Sequence, residues 1–156
     1  DIVCMTTSPQ YARVCMMRGN LEKIPTSHYT YSKGKKAKTL AEFIGGCGVG
    51  RAYCSIQPDG VITPCVFMPI PVGDLKQKSF REIWEESPVL KELRTREDLE
   101  EHCGVCEYRS VCGGCRARAY SYFGNYKAPD PGCINNKDVF FKLKGLREEK
   151  VKLKSI

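Results

Sequence analysis

Ten cysteines in 156 residues restrict what this chain can fold into more than any other feature. Eight of them fall into two groups along the sequence: Cys47, Cys54 and Cys65, then Cys103, Cys106, Cys112, Cys115 and Cys133. Thiolates at such spacings are ligands for soft metal centres, and eight thiolates satisfy two four-cysteine iron–sulfur clusters. The cysteines therefore predict a module that carries metal clusters.

Disulfide bonds are the first alternative, because extracellular domains use closely spaced cysteines in that way. The N-terminal sequence DIVCMTTSPQ, however, has no basic region followed by an apolar stretch, so no signal peptide is predicted. The chain also has no apolar run of about 18 residues. We therefore expect a cytoplasmic protein without a membrane partner, in which Cys4 and Cys15 are buried free thiols.

A zinc-stabilised basic interaction module with no catalytic role is the second alternative. The pairs Cys103-x2-Cys106 and Cys112-x2-Cys115 are only five residues apart, whereas paired zinc knuckles usually enclose about 12–20 residues. The net charge of +7 favours acidic partners. Aromatic residues at 120–126 are flanked by basic ones and permit base stacking, but we interpret them as packing residues and do not expect nucleic acid. His102 is predicted to be solvated rather than a ligand.

The sequence pattern predicts an α+β fold with short elements and long loops around metal. A strand over residues 1–6 precedes a helix that Ser8-Pro9 can start. The segments AYCSIQ and VITPCV flank Pro58-Asp59-Gly60, as in a β-hairpin. Ser79 and Ser87-Pro88 can each begin a packing helix. Residues 21–46 are predicted to be a linker, and residues 136–156 a basic helix with one apolar face.

These motifs together resemble the SPASM auxiliary domain of radical S-adenosylmethionine enzymes. The resemblance is carried by CGVGRAYCSIQPDGVITPCVFMPI, by VGDLKQKSFREIWEESPVLKELR and by CGGCRARAY followed by APDPGC. It covers about residues 40–135 and is greatest to the haem-forming members of the branch that matures haem, peptides and cofactors. It implies an auxiliary-cluster domain over 47–135, and it makes residues 1–20 similar to the last strand and helix of the family's partial (β/α) barrel.

The resemblance also implies how the thiolates divide. Cys47, Cys54, Cys65 and Cys115 would hold one [4Fe-4S] cluster nearer the barrel, and Cys103, Cys106, Cys112 and Cys133 would hold an outer one. An iron left open at Cys54 is the alternative for the first cluster. Arg51, Arg116 and Arg118 lie beside these ligands in sequence, so they are candidate partners for cluster charge or for substrate carboxylates.

The family's C-x3-C-x2-C signature, which holds the cluster that binds S-adenosylmethionine, is absent from the sequence. The chain alone is therefore expected to be inactive. The resemblance implies a radical core with S-adenosylmethionine and a third [4Fe-4S] cluster, in the same longer chain or in a separate subunit. It further implies an electron donor or acceptor protein and an acidic small-molecule or peptide substrate. The implied role is electron relay in an oxidoreductase, during decarboxylation of porphyrin propionates or maturation of a peptide or cofactor.

Overall fold

The computed structural model describes residues 8–17 and 45–136, together with 138–139, 141–142 and 145. The strand predicted over residues 1–6, the linker up to residue 44 and most of the basic helix at 136–156 lie outside the described residues. Cys4 and the side chain of Cys15 do so as well. Helix α1 (Gln10–Met17) begins directly after Ser8-Pro9, as the sequence predicts.

The predicted hairpin is present and belongs to a three-stranded antiparallel sheet. Strands β1 (Ser55–Ile56) and β2 (Val61–Thr63) pair with Ser55 opposite Thr63. Their turn depends on Gly60, whose φ of 91° suits glycine. A third strand, β3 (Gly73–Asp74), was not foreseen from the sequence and pairs with the other edge of β2. The central strand β2 therefore carries the fully buried Ile62.

Two capped helices follow the sheet, at the positions that the sequence predicts. Helix α2 (Phe80–Glu86) starts with a capping box between Ser79 and Glu82, and helix α3 (Pro88–Arg94) starts at the cap Ser87. Ile83, Leu90 and Leu93 are their buried residues. Phe80 is 46% exposed and stacks on Trp84 with a centroid distance of 5.9 Å.

The remaining described helices position cysteines. Helix α4 (Glu101–Val105) contains Cys103, and helix α5 (Arg116–Phe123) follows Cys115 and ends at a left-handed Gly124. A short 3-10 helix, Ile134–Asn136, comes after Cys133. One apolar cluster joins Cys47 and Val49 to Met68 in the connection between β2 and β3, and to residues of α3 and α5, so the core includes a cysteine. The α+β class is confirmed. None of the described helices has the length and apolar composition to cross a bilayer.

Candidate metal centre

Four cysteines from distant parts of the sequence line one cavity of about 400 Å³, which we call the hairpin site: Cys47, Cys54, Cys65 and Cys115. Cys54 precedes β1 and Cys65 lies beyond β2, and the strand register brings these two ends together. Cys115 is the N-cap residue of α5. The remaining wall is largely apolar, with Val49, Val66, Phe67 and Ala117 among its residues. This cavity is open enough for an occupant larger than a single ion.

Burial and hydrogen bonding control the thiols of the hairpin site. Burial is the main factor that raises the pKa of Cys54, Cys65 and Cys115 above the ordinary thiol value. Tyr53 hydrogen-bonds through its side chain to Cys47 and Cys65, and burial followed by the charge of Cys47 raises the pKa of its hydroxyl. Since metal ligands must be thiolates, occupation of this site by metal displaces protons.

A buried carboxylate supports the hairpin site from behind. Asp130 is 0% exposed, and its side chain accepts hydrogen bonds from the Cys115 N–H at 2.7 Å and the Arg118 Nε at 2.6 Å. Gln10, in α1, donates to the same carboxylate. The Asp130 hydrogen bond is the main cause that raises the pKa of Arg118. The arginine at this site is therefore neutralised by a protein carboxylate.

The other four cysteines line a second cavity of about 20 Å³, which we call the knuckle site: Cys103, Cys106, Cys112 and Cys133. Helix α4 presents Cys103 and ends at the cap Cys106. A turn follows, in which the Cys112 N–H donates to Tyr108 O at 2.7 Å, and this turn brings Cys112 close to the cysteines of α4. Burial is the main factor that raises the pKa of Cys112, to about 11. Polar residues share the wall of this cavity: Arg13, His102, Tyr108 and Arg109.

Nitrogen donors converge on one sulfur of the knuckle site. Cys103 Sγ accepts from the Asp130 N–H at 3.4 Å, from Arg116 Nη2 at 3.8 Å and from Asn136 Nδ2 at 3.8 Å. A second sulfur, Cys112 Sγ, accepts from the Gly114 N–H at 3.4 Å. N–H groups directed at sulfur stabilise a thiolate, because a hydrogen bond to the charged form favours that form. The donor set therefore fits cysteine sulfurs that bind metal.

The two sites share a wall. The Cys47 N–H of the hairpin site donates to Cys112 O of the knuckle site at 3.2 Å. Arg96, 7% exposed, donates to Cys47 O at 2.6 Å and to Ser110 O at 2.7 Å. Burial, followed by the positive charge of Arg51, lowers the pKa of Arg96 to about 10. One guanidinium therefore fixes the backbone on which both sites depend.

The three arginines proposed from the sequence lie near different cysteines. Arg116 contacts Cys103 of the knuckle site, whereas Arg118 lines the hairpin site. Arg51 donates to Arg94 O at 2.7 Å. Burial lowers the pKa of Arg51, and the negative charge of Cys47 partly opposes this effect. His102 differs from the expectation of a solvated side chain, because its Nε2 is buried beside the knuckle cysteines.

Three residues of these sites were missed by sequence reasoning: Arg13, Arg96 and Asp130. Arg96 and Asp130 lie in the predicted cluster domain, but no spacing pattern marks them. Arg13 lies ninety residues before Cys103 and reaches the knuckle site only because α1 packs there. The motif APDPGC contained Asp130 and could have drawn attention to it, since a carboxylate next to a ligand cysteine orients ligands.

Within the described residues, no three Cys, His, Asp or Glu side chains are placed to hold a single metal ion. The chemistry of both sites nevertheless fits iron–sulfur clusters. The hairpin site has four thiols around an open cavity, and the knuckle site has four thiols with nitrogen donors directed at two sulfurs. Soft thiolate sets of four are the usual ligands of such clusters.

Comparison with known proteins agrees with this chemistry. Residues 47–107 match the SPASM family, described as an iron–sulfur cluster-binding domain. The chain is 39% identical over 129 residues to an AdoMet-dependent heme synthase of Methanosarcina barkeri, covering 83% of this chain and 35% of that protein. It is 35% identical over 128 residues to an AdoMet-dependent heme synthase of Nitratidesulfovibrio vulgaris, covering 82% and 33%.

The chain also matches a peptide cyclase over a shorter stretch. The chain is 32% identical over 96 residues to a PqqA peptide cyclase of Ruegeria pomeroyi, covering 58% of this chain and 26% of that protein. The chain spans about a third of the length of the first two relatives and about a quarter of the third. The resemblance inferred from the cysteine spacing is confirmed by these matches.

Proposed function

Because this chain carries a SPASM iron–sulfur cluster-binding domain, we propose that it holds two [4Fe-4S] clusters, one at the hairpin site and one at the knuckle site. The observation that carries the proposal is the separation of eight thiols into two sets of four, each lining its own cavity. Cys54 belongs to the first set, and its position beside β1 supports a fourth ligand there rather than an open iron.

When bound, the clusters would supply one-electron transfer between a substrate radical and an external donor or acceptor. The protein's own residues determine how that transfer is controlled. Val66 and Phe67 line the hairpin site, and the Tyr53 hydroxyl donates to its sulfurs. Arg96 holds Cys47 and the backbone before Cys112 in fixed positions.

For the whole protein, we propose a radical S-adenosylmethionine oxidoreductase. The core that binds S-adenosylmethionine and a third [4Fe-4S] cluster would belong to the same protein or to a separate subunit. A protein partner would exchange electrons with the clusters. Since the longer and more similar matches are heme synthases, an acidic porphyrin is the favoured substrate, ahead of a peptide.

The favoured reaction is oxidative decarboxylation of porphyrin propionates. Each propionate would lose a hydrogen atom to a radical derived from S-adenosylmethionine, and would then lose carbon dioxide and one electron to form a vinyl group. The released electron requires an acceptor near the substrate. Arg51, Arg116 and Arg118 remain candidate partners for cluster charge or for substrate carboxylates, of which Arg118 is the one that lines the larger cavity.

Anaerobic iron, sulfide and zinc analysis of the reconstituted chain, with an absorption spectrum, tests the proposal. We expect about eight irons and eight sulfides per chain, as two four-iron clusters require. About four irons would remove one of the two sites from the proposal. Stoichiometric zinc without iron would overturn it in favour of a zinc-stabilised interaction module.

A further inference from the structure

Buried polar atoms without a hydrogen-bond partner are concentrated at one place in the described part of the chain. They are Arg13 Nε, His102 Nε2, Arg116 Nε and Asn136 Oδ1. Arg13 and His102 line the knuckle site, and Arg116 and Asn136 contact its Cys103. A buried donor that lacks a partner costs about 1–3 kcal/mol, and more when it is charged. Arg13 Nε, His102 Nε2 and Arg116 Nε can each donate a hydrogen bond, whereas Asn136 Oδ1 only accepts one. The three donors indicate that this site receives an anionic occupant.

Two of these groups, Arg13 and Arg116, are guanidinium cations. Arg13 is 8% exposed and Arg116 is 4% exposed. Arg116 donates to Tyr126 O and Ala128 O, and neither arginine forms an ion pair with a carboxylate of the described residues. Burying a cation without a counter-charge is strongly unfavourable. The hairpin site differs, because its Arg118 is paired with Asp130.

We propose that Arg13 and Arg116 are the counter-charges of the cluster at the knuckle site and give it the higher reduction potential of the two clusters. This inference rests on the proposed function. A cluster bound by four thiolates is anionic, and one-electron reduction adds a further negative charge. A buried cation stabilises the reduced form more than the oxidised form, because attraction increases with charge and is weakly screened in the interior. Hydrogen bonds from Asp130 N–H and Asn136 to Cys103 act in the same direction.

Arg13 is the better position for the test, because its guanidinium supports no backbone carbonyl among the described contacts, whereas that of Arg116 supports two. We would compare the reconstituted wild-type chain with Arg13→Gln, Arg13→Lys and the control Arg81→Gln. The Arg81 side chain is 84% exposed, so the control removes the same charge from the surface. EPR-monitored potentiometry would give the midpoint potential of each cluster, and the signal lost in Cys106→Ser identifies the knuckle cluster.

We expect Arg13→Gln to shift the knuckle cluster to lower potential and to leave the hairpin cluster unchanged. Arg13→Lys should retain most of the wild-type value, and Arg81→Gln all of it. Arg13→Gln could instead lose the iron of the knuckle site alone. That result supports the proposal if Arg13→Lys retains the iron, and it overturns the proposal if Arg13→Lys loses the iron as well. Three further results would overturn the proposal. They are an unchanged potential of the knuckle cluster in Arg13→Gln, an equal shift of both clusters, and a wild-type potential that is lower at the knuckle site than at the hairpin site.

These results differ from a failure of the proposed function. If the wild-type chain binds zinc or only one cluster, the assignment of two clusters has failed before any variant is compared. If two clusters form and their potentials do not respond to Arg13, only the inference about charge compensation fails.

Discussion

The hairpin site and the knuckle site each bring four cysteines together, but in different surroundings. The hairpin site is an open cavity of about 400 Å³ with largely apolar walls, and its arginine is neutralised by Asp130. The knuckle site is a cavity of about 20 Å³, and two arginines buried beside its cysteines lack a carboxylate partner among the described residues. Since the ligand type is identical, differences in redox behaviour have to come from the surroundings.

The two sites also differ in what organises them. At the hairpin site, paired strands bring Cys54 and Cys65 together before any metal binds. At the knuckle site, one short helix and one turn present three cysteines over ten residues, and none of the three belongs to the apolar cluster that contains Cys47. We therefore expect metal to contribute more to the order of the knuckle segment than to that of the hairpin.

Removal of metal is predicted to have the largest effect on this comparison. Structural metal sites in small domains contribute about 10 kcal/mol or more to folding. Anaerobic chelation should therefore destabilise residues 47–133 strongly, and hydrogen exchange should show greater loss of protection at 103–115 than at β1 and β2. Equal thermal unfolding of metal-free and reconstituted chains would contradict this view, as would earlier loss of protection in the hairpin.

Arg96→Lys is predicted to affect both sites at once. The guanidinium of Arg96 reaches carbonyl groups of Cys47, Arg109 and Ser110, and a lysine cannot bond all three in this geometry. We expect a loss of about 3 kcal/mol in the free energy of unfolding. Denaturant unfolding with metal analysis measures it, and Arg81→Lys is the surface control. A variant that loses iron from only one site would show that the shared wall does not couple them.

Gly73→Ala is predicted to affect neither site. A Cβ at Gly73 would lie 2.6 Å from Ile83 Cγ1, so β3 and α2 would have to separate. Such overpacking costs about 1–3 kcal/mol. Gly124→Ala is the matched control, because nothing lies within 4 Å of its added Cβ and only its φ of 68° opposes the change. Thermal unfolding should show the loss at unchanged iron content. Loss of iron in Gly73→Ala would connect the sheet edge to the clusters.

The capping box of α2 provides the smallest predicted effect, remote from both sites. Hydrogen bonds from Ser79 lower the pKa of Glu82 below its value in the unfolded chain. The contribution of the Glu82 carboxylate to folding stability is therefore present above about pH 4.3, and it is lost as pH falls through the folded pKa. Glu82→Gln should therefore lower Tm at neutral pH, and the difference should shrink as pH falls below about 4.3. A difference in Tm that is constant with pH would show that the charge of Glu82 is not responsible.

The sequence predicted those parts of the structure that depend on local patterns. Turn residues at Pro58–Gly60 predicted the hairpin, and the caps Ser79 and Ser87 predicted two helix starts. The eight cysteines were recognised because spacing between ligands is itself a local pattern. The strand β3 was missed because two residues, Gly73 and Asp74, carry no alternation that a pattern could detect.

The supporting residues could not be predicted from spacing. Gln10 and Asp130 are 120 residues apart in sequence and meet only through packing of α1. Arg13 reaches the knuckle site by the same packing. Arg116 was identified because it follows Cys115 in sequence. Its contact with Cys103 instead depends on the backbone carbonyls of Tyr126 and Ala128, which hold its guanidinium.

We expect the closely spaced cysteines at 103–115 to divide between two clusters, with Cys115 at the hairpin site and the others at the knuckle site. Cys112→Ser and Cys115→Ser test it most directly, because the two positions are three residues apart and line different cavities. EPR spectra of the reduced, reconstituted variants would be compared with those of Cys106→Ser and Cys65→Ser. We predict that Cys112→Ser matches Cys106→Ser and that Cys115→Ser matches Cys65→Ser. A Cys115→Ser spectrum that matches Cys106→Ser would contradict the division.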